Sequence, residues 1–253
     1  MTAIQVEGLA KVFGGLRAVD DVSLGVAAGE RRVLIGPNGA GKTTLFHCIT
    51  GTLKPSAGRV TLFGGDVTHV AEHRRTALGM GRTFQITNLF PELTLLENLT
   101  LAIVGTDRRK WVAHRPVEAF DEVRRQAQAG LEKVGLADRA AQPVKHISYG
   151  ERRQLELALA LNTRPRVLFL DEPCAGLSPS ERQRISKMIA ALPRDITLLM
   201  IEHDMDVALG LADRVTVLHR GRVILEGSPQ EVQRNPEVRE VYFGVHEAHG
   251  GHA

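Results

Sequence analysis

A glycine-rich stretch in the first fifth of the chain combines residue types that bind phosphate. An apolar segment at 32–35 precedes it, and a helix predicted to begin near Lys42 follows it. A glycine-rich turn after a strand would need neither a lysine nor a threonine, so this pattern, GxxxxGK[ST], predicts a loop that binds nucleotide phosphates. The residues that match or directly follow the pattern are Gly36, Pro37, Asn38, Gly39, Ala40, Gly41, Lys42, Thr43 and Thr44.

Each residue type in this loop has a chemical reason. Glycines let backbone N–H groups approach phosphate oxygens, because no side chain blocks the approach. The N-terminus of the following helix adds a partial positive charge. Lys42 would supply a full charge to the β- and γ-phosphates, and Thr43 would offer a hydroxyl ligand to Mg²⁺.

Two acidic residues follow the continuous apolar run at 167–170. Asp171 and Glu172 would then lie at the C-terminal end of a buried parallel strand, where open α/β sheets place their ligands. Asp171 can hold Mg²⁺ directly or through water, and Glu172 can polarise the water that attacks a γ-phosphate. Alone, the pair would be interpreted as solvated carboxylates at a strand end.

His203 and Gln85 carry weaker signals. His203 ends the buried strand predicted at 197–202, although a single histidine is more often structural. Gln85 stands at the entrance to a helical stretch, where its amide can sense Mg²⁺ or the attacking water. Their places beside the stronger motifs favour catalytic roles for both.

The segment at 148–152 supports two interpretations. Ser148 is a good N-cap, and Glu151 three residues later completes a capping box, which is a sufficient structural explanation. The same helix N-terminus can also receive a phosphate through the Ser148 hydroxyl and the Gly150 backbone.

The elements that must position these residues indicate an α/β fold. Strands are predicted over 4–35, and the helix that begins near Lys42 is predicted to end at Gly51. The stretch at 86–160 has helical spacing and many charges, which predicts a helical subdomain inserted in the α/β core.

One domain over 1–253 is therefore expected. Its core comprises 1–85 and 161–244, and the glycine- and histidine-rich residues 245–253 form a mobile tail.

Composition excludes several classes of protein. The net charge of +3 is too small to favour nucleic acid as a partner. Cys48 and Cys174 form no CxxC pair and are expected to be packing residues. The sequence has no secretory signal and no apolar run of the roughly 20 residues that a bilayer needs, so any membrane role is expected to come through a partner.

The order of these motifs resembles that of the ABC-type ATPases, over about residues 4–244. The resemblance implies a P-loop NTPase core with an N-terminal antiparallel β subdomain and an inserted helical subdomain. It makes Phe13 the aromatic residue that stacks on adenine, Gln85 the Q-loop residue and His203 the switch histidine. It also implies a dimer of ATPase subunits, homologous or identical, that encloses two ATP molecules, with Ser148 and Gly150 facing the γ-phosphate of the other subunit.

Two positions depart from the family pattern. Tyr149 replaces a glycine of the signature motif, which can alter the approach of the backbone to phosphate. Ser178 stands where the family usually has aspartate, so communication between the two sites can differ.

Further segments are similar to the ATP-binding subunits of branched-chain amino acid importers. They include Ser-Tyr-Gly-Glu-Arg-Arg at 148–153, Ala-Gly-Leu-Ser-Pro at 175–179 and the segment at 235–244. The resemblance implies transmembrane permease subunits, a periplasmic solute-binding protein and a peripheral location on the cytoplasmic face of the inner membrane. Urea and amide importers and the lipopolysaccharide exporter share parts of the pattern, and a soluble ABC ATPase outside transport is a further alternative.

Overall fold

The computed structural model describes residues 1–83, 89–106 and 117–243. The predictions for Gln85 and for the tail at 245–253 fall outside these residues. The strands are β1 (Thr2–Phe13), β2 (Leu16–Ala27), β3 (Arg31–Ile35), β4 (Ala57–Leu62), β5 (Gly65–Asp66), β6 (Met80–Arg82), β7 (Val167–Asp171), β8 (Thr197–Ile201), β9 (Arg214–His219) and β10 (Arg222–Gly227). The helices are α1 (Lys42–Thr50), α2 (Glu72–Arg75), α3 (Leu95–Thr106), α4 (Val117–Lys133), α5 (Tyr149–Asn162), α6 (Pro179–Ala190), α7 (Met205–Leu211), α8 (Pro229–Arg234) and α9 (Pro236–Phe243).

The chain divides into two compact units, and the first comprises Met1–Glu72 with Leu198–Ala253. Its antiparallel sheet has the order β2-β1-β4-β5, and the turn at Gly14-Gly15 joins β1 to β2. In the other sheet, the strands of this unit follow the order β10-β9-β3-β8, with β3 parallel to both of its neighbours. All five residues of β3 are buried, as expected of a strand covered on both faces.

Helix α1 begins and ends where the sequence predicts. Gly41 precedes the helix with φ 99°, and Gly51 follows it with φ 89° and donates its backbone N–H to the carbonyl of His47. Both positions are in the left-handed region that glycine adopts without strain. The helix therefore starts directly at the end of the phosphate loop.

The second unit, His73–Thr197, contains the predicted helical stretch. Helices α3, α4 and α5 share an apolar core, whose buried members include Leu95, Leu99, Leu131 and Leu155. Strand β7 is entirely buried and pairs in parallel with β6. The three-residue strand β6 was not predicted, because a segment that short has no readable alternation.

Reciprocal caps fix the N-termini of α5 and α3 in this unit. Ser148 accepts from the N–H of Glu151, and the Glu151 carboxylate accepts from the N–H of Ser148, so the predicted capping box is confirmed. Thr94 and Glu97 form the same arrangement before α3, a signal that the sequence contains and that sequence reasoning missed.

Both cysteines are buried and form no disulfide, as expected of packing residues. Among the helices of the described segments, none combines the length and the hydropathy needed to cross a bilayer.

Candidate functional site

The backbone of the phosphate loop is shaped by glycines that no other residue can replace. Gly36 has φ 152°, and a Cβ atom there would overlap the carbonyl oxygen of Leu218. At Gly41 a Cβ atom would overlap the carbonyl oxygen of Ala18. The loop therefore packs directly on neighbouring backbone, and both glycines are required by space as well as by φ.

Lys42 is buried at the beginning of α1, with 4% of its surface exposed. Its Nζ donates to the carbonyl oxygen of Gly36 at 2.6 Å and to that of Pro37 at 3.0 Å. The ammonium group is thus held inside the curve of the loop, among the backbone groups predicted to bind phosphate. Thr43 and Thr44, the next residues of α1, are half-buried.

The C-terminal helix also reaches this loop. Burial raises the pKa of the Tyr242 hydroxyl on α9, and the nearby backbone of Gly36 opposes that rise. Sequence reasoning did not connect Tyr242 with the phosphate loop, because more than two hundred residues separate the two.

Phe13 ends β1 with 45% of its surface exposed. The ammonium of Lys11 lies 5.0 Å from the centroid of its ring. An exposed aromatic ring on a hairpin can stack on a planar base. The nearby ammonium group can in addition attract the negatively charged phosphates of a nucleotide.

Asp171 ends β7 with 1% of its surface exposed. The Arg82 guanidinium on the adjacent β6 lies 4.0 Å from its carboxylate, and both side chains are almost completely buried. Sequence reasoning did not assign Arg82 to this site. A buried carboxylate at a strand end, with a cation at that distance, is a charged centre and not a solvated surface group.

Glu172 adopts a backbone conformation that is unusual for its type. Its φ is 48°, in the left-handed region, although it is not a glycine. Its carbonyl accepts from the N–H of Ala175, which closes a turn directly after β7. The side chain is half-buried, and backbone strain of this kind is common where a residue acts on a ligand.

His203 is exposed immediately after the end of β8. The carboxylate of Glu202, which is 2% exposed, accepts from the backbone N–H of His203 at 2.9 Å and from that of Asp204 at 3.3 Å. Glu202 therefore fixes the backbone that carries the histidine. The sequence shows this glutamate, but not that its carboxylate is buried.

The N-terminus of α5 holds both residues of the predicted second phosphate site. The Ser148 hydroxyl accepts from the backbone N–H of Glu151 at 3.2 Å. The carboxylate oxygen Oε1 of Glu151 lies 3.1 Å from the Arg139 guanidinium. These residues, with Gly150 and Glu181, line a cavity of about 240 Å³. The space at this helix N-terminus is large enough for a phosphate group.

Tyr149, which departs from the family pattern, has a defined structural place. Its hydroxyl accepts from the Arg153 guanidinium at 2.7 Å, and that guanidinium lies 5.2 Å from the ring centroid. A Cβ atom on Gly176 would lie 3.4 Å from the ring. The side chain thus packs beside the loop that contains Ala175 and Ser178.

The structure assigns the predicted residues to two groups. Phe13, the phosphate loop and His203 belong to the first unit, whereas Asp171, Glu172, Ser148 and Gly150 belong to the second. Within each unit, the residues lie at strand ends or helix N-termini, where backbone dipoles and chain direction allow a side chain to meet a ligand.

A test of Ser148 can separate its two interpretations. Ser148→Ala and Ser228→Ala each remove a capping box with the same bonds, at α5 and at α8. We expect each variant to lose about 1 kcal/mol of unfolding free energy in urea denaturation, because each loses one N-cap. Only Ser148→Ala is expected to lower ATP hydrolysis beyond its loss of stability. Equal hydrolysis by the two variants would leave Ser148 with a purely structural role.

Comparison with protein-family models identifies two regions of the chain. Residues 19–175 match the model described as "ABC transporter". Residues 222–248 match the model described as "Branched-chain amino acid ATP-binding cassette transporter".

Curated relatives align along nearly the whole chain. The chain is 39% identical over 248 residues to LivG of Salmonella typhimurium, a high-affinity branched-chain amino acid transport ATP-binding protein, with 95% of this chain and 97% of that protein covered. It is 38% identical over 250 residues to BraF of Pseudomonas aeruginosa, which carries the same description, with the same shares covered.

Solved structures show the same fold. The chain superposes with a TM-score of 0.85 and 32% identity on MJ1267, an ATP-binding cassette of an ABC transporter in its ADP conformation, covering 97% of this chain and all of that one. A dimeric cassette, MJ0796, bound to ADP and Pi in a post-hydrolysis state, aligns with a TM-score of 0.76 and 25% identity, covering 89% and 98%. The predicted α/β fold is confirmed, and the chain belongs to the ABC transporter family, the ATP-binding cassette proteins.

Proposed function

We propose that this protein binds and hydrolyses ATP as the motor subunit of a membrane transporter. The observation that carries the proposal is the phosphate loop, with a buried lysine held inside its curve and two glycines fixed by close backbone contact. The family match supports ATP binding and hydrolysis as the activity, because it includes the segment that contains this loop.

Mg²⁺ fits the side chains present. The Thr43 hydroxyl and the Asp171 carboxylate are oxygen ligands, the donors that Mg²⁺ prefers, and it commonly takes one or two protein ligands with substrate phosphates and water. When bound, the ion would neutralise charge on the β- and γ-phosphates. The amide of Gln85 is proposed as a further ligand or as a sensor of the attacking water.

The remaining steps belong to side chains of this chain. Lys42 balances the charge that develops on the transferred phosphoryl group, and the loop N–H groups fix its orientation. Glu172 accepts a proton from, or polarises, the attacking water, while His203 is proposed to contact the γ-phosphate from the end of β8. Phe13 stacks on the adenine ring and thereby fixes the position of the nucleotide relative to the phosphate loop.

A second ATPase subunit, identical or related, completes each site in this proposal. Ser148 and Gly150 of one subunit then contact the γ-phosphate held by the loop of the other. The dimeric post-hydrolysis cassette with 25% identity supports such an assembly.

The solute proposed for the transporter is a branched-chain amino acid or a similar small polar molecule. The names of the LivG and BraF relatives and the match at 222–248 support this choice. The motor would act at the cytoplasmic face of the inner membrane, bound to permease subunits and indirectly served by a periplasmic solute-binding protein. Import of urea or amides, or export of lipopolysaccharide, is the alternative among transporters.

Coupling to the membrane partner can be measured directly. We expect the ATPase rate of the chain to change severalfold when it is co-purified with its permease subunits in lipid nanodiscs, and to respond to the loaded solute-binding protein. The control is the Glu172→Gln variant in the same assembly. An ATPase rate that is indifferent to permease and solute would favour a soluble ABC ATPase, and salt-sensitive retention of nucleic acid on a filter would then be the next assay.

A further inference from the structure

A carboxylate of the same chain lies beside Gly150, whose backbone is proposed to contact the γ-phosphate. A Cβ atom on Gly150 would overlap Oε1 of Glu181 and would lie 2.9 Å from its Cγ. The carboxylate of Glu181 therefore lies against the backbone that the proposed function assigns to phosphate.

Glu181 is held in this position by its own helix. Ser178 donates its backbone N–H to Oε2 of Glu181 at 3.0 Å and its hydroxyl to the same oxygen at 2.6 Å. This capping box fixes one carboxylate oxygen at the start of α6 and directs the other towards Gly150. The contact thus joins the N-termini of α5 and α6, which are 30 residues apart along the chain.

The carboxylate keeps its negative charge at neutral pH. The hydrogen bond from the Ser178 side chain, followed by the one from the Ser178 backbone, lowers the pKa of Glu181, and the N–H of Gly150 adds to the effect. A glutamate anion and a phosphate are both oxygen acceptors that a helix N-terminus stabilises. They would occupy the same space beside Gly150, and their charges repel each other.

Glu151 does not compete in the same way. One of its oxygens accepts from the N–H of Ser148, and the other lies 3.1 Å from the Arg139 guanidinium, which offsets its charge. Glu181 has a nearby alternative cation in Arg184, one turn further along α6, whose charge also lowers the Glu181 pKa. A pair at this spacing on a helix can form once the carboxylate leaves Gly150.

We propose that Glu181 is a positioning residue whose carboxylate occupies the space beside Gly150 of the signature motif until a nucleotide phosphate displaces it. This inference rests on the proposed function, and it adds an internal competitor to that site. Closure of the ATP-bound dimer must then break the Glu181 contact, so the carboxylate raises the ATP concentration that closure requires.

The test is Glu181→Gln, measured against Glu231→Gln. Glutamine keeps a capping box, because Ser-x-x-Gln forms the same reciprocal bonds as Ser-x-x-Glu. Glu231 caps α8 through Ser228 with the same geometry, and it belongs to the first unit. Both changes remove one negative charge. A difference between the two variants therefore reports the position of Glu181, and not the change in net charge.

Dimer formation is measured in a Glu172→Gln background by light scattering during an ATP titration with Mg²⁺. We expect Glu181→Gln to lower the half-maximal ATP concentration about three- to tenfold, the order expected for removing one charge about 4 Å from the phosphate in water, and Glu231→Gln to leave it unchanged. With Glu172 intact, Glu181→Gln is expected to lower KM for ATP more than it changes kcat. Thermal unfolding of both variants checks that the two caps remain equivalent.

Two outcomes contradict the inference in different ways. Equal half-maximal concentrations for the Glu181→Gln and Glu231→Gln proteins, with a parent that dimerises, would overturn the role of Glu181 alone. A Glu172→Gln parent that shows no ATP-dependent dimer would overturn the proposed function and this inference with it.

Discussion

Replacement of Glu172 by glutamine is expected to slow ATP hydrolysis about 10²- to 10⁴-fold, the usual contribution of a positioned general base. The amide cannot accept a proton from water, but it has nearly the same shape, so ATP binding is expected to be retained. The left-handed backbone at Glu172 should be unchanged, because both side chains impose similar constraints there. Phosphate release measures turnover, and light scattering detects the trapped ATP-bound dimer.

The control for this variant is Glu132→Gln, an exposed position on α4. It changes charge by the same amount and is expected to hydrolyse ATP at the wild-type rate. A Glu172→Gln protein with turnover within threefold of wild type would remove Glu172 as the base. Activation of the water would then have to be assigned to another residue.

Replacement of Lys42 by alanine is expected to weaken ATP binding by about 10- to 100-fold or more, as the loss of a charged hydrogen-bond donor does. The Nζ atom donates to the carbonyls of Gly36 and Pro37, so the variant also loses contacts that hold the loop closed. Isothermal titration with Mg-ATP gives the affinity.

Circular dichroism and urea unfolding of Lys42→Ala separate loss of binding from loss of fold. Lys133→Ala, at an exposed position near the end of α4, serves as the matched control and should bind ATP as wild type does. An affinity within twofold of wild type for a folded Lys42→Ala protein would contradict the phosphate-loop assignment, and the membrane function that depends on it.

Local signals explain which parts of the fold could be predicted. Helix α1 begins at Lys42 and ends before Gly51 because the flanking glycines supply left-handed turns, and both are readable from sequence. The capping box of Ser148 and Glu151 is readable for the same reason, since its partners are three residues apart. In each case the physical cause lies within a few residues of its effect.

Contacts between distant residues were not predictable. Arg82 approaches Asp171 because β6 pairs with β7, and a three-residue strand gives no pattern from which that register can be read. Glu181 reaches Gly150 for a comparable reason, since each residue alone is explained by its own helix cap. Hydrogen bonding of Glu202 to the backbone of His203 likewise depends on burial at the end of β8.

The sequence identifies the departure at Tyr149, but not where its side chain packs. Sequence comparison indicated that a side chain replaces a glycine, and that backbone approach can change there. In the structure the ring packs beside Gly176 and its hydroxyl accepts from Arg153, so the substitution adds packing next to the site. Which way a side chain points depends on neighbours that the motif itself does not contain.

The close seating of Gly36 on Leu218 and of Gly41 on Ala18 has a thermodynamic consequence. Neighbouring backbone fixes the conformation of the loop, so the loop loses its conformational entropy when the chain folds. The loop is therefore preorganised, and ATP binding does not have to order it. Association should accordingly resemble docking to a rigid receptor, with rapid capture and only a small heat-capacity change from this segment.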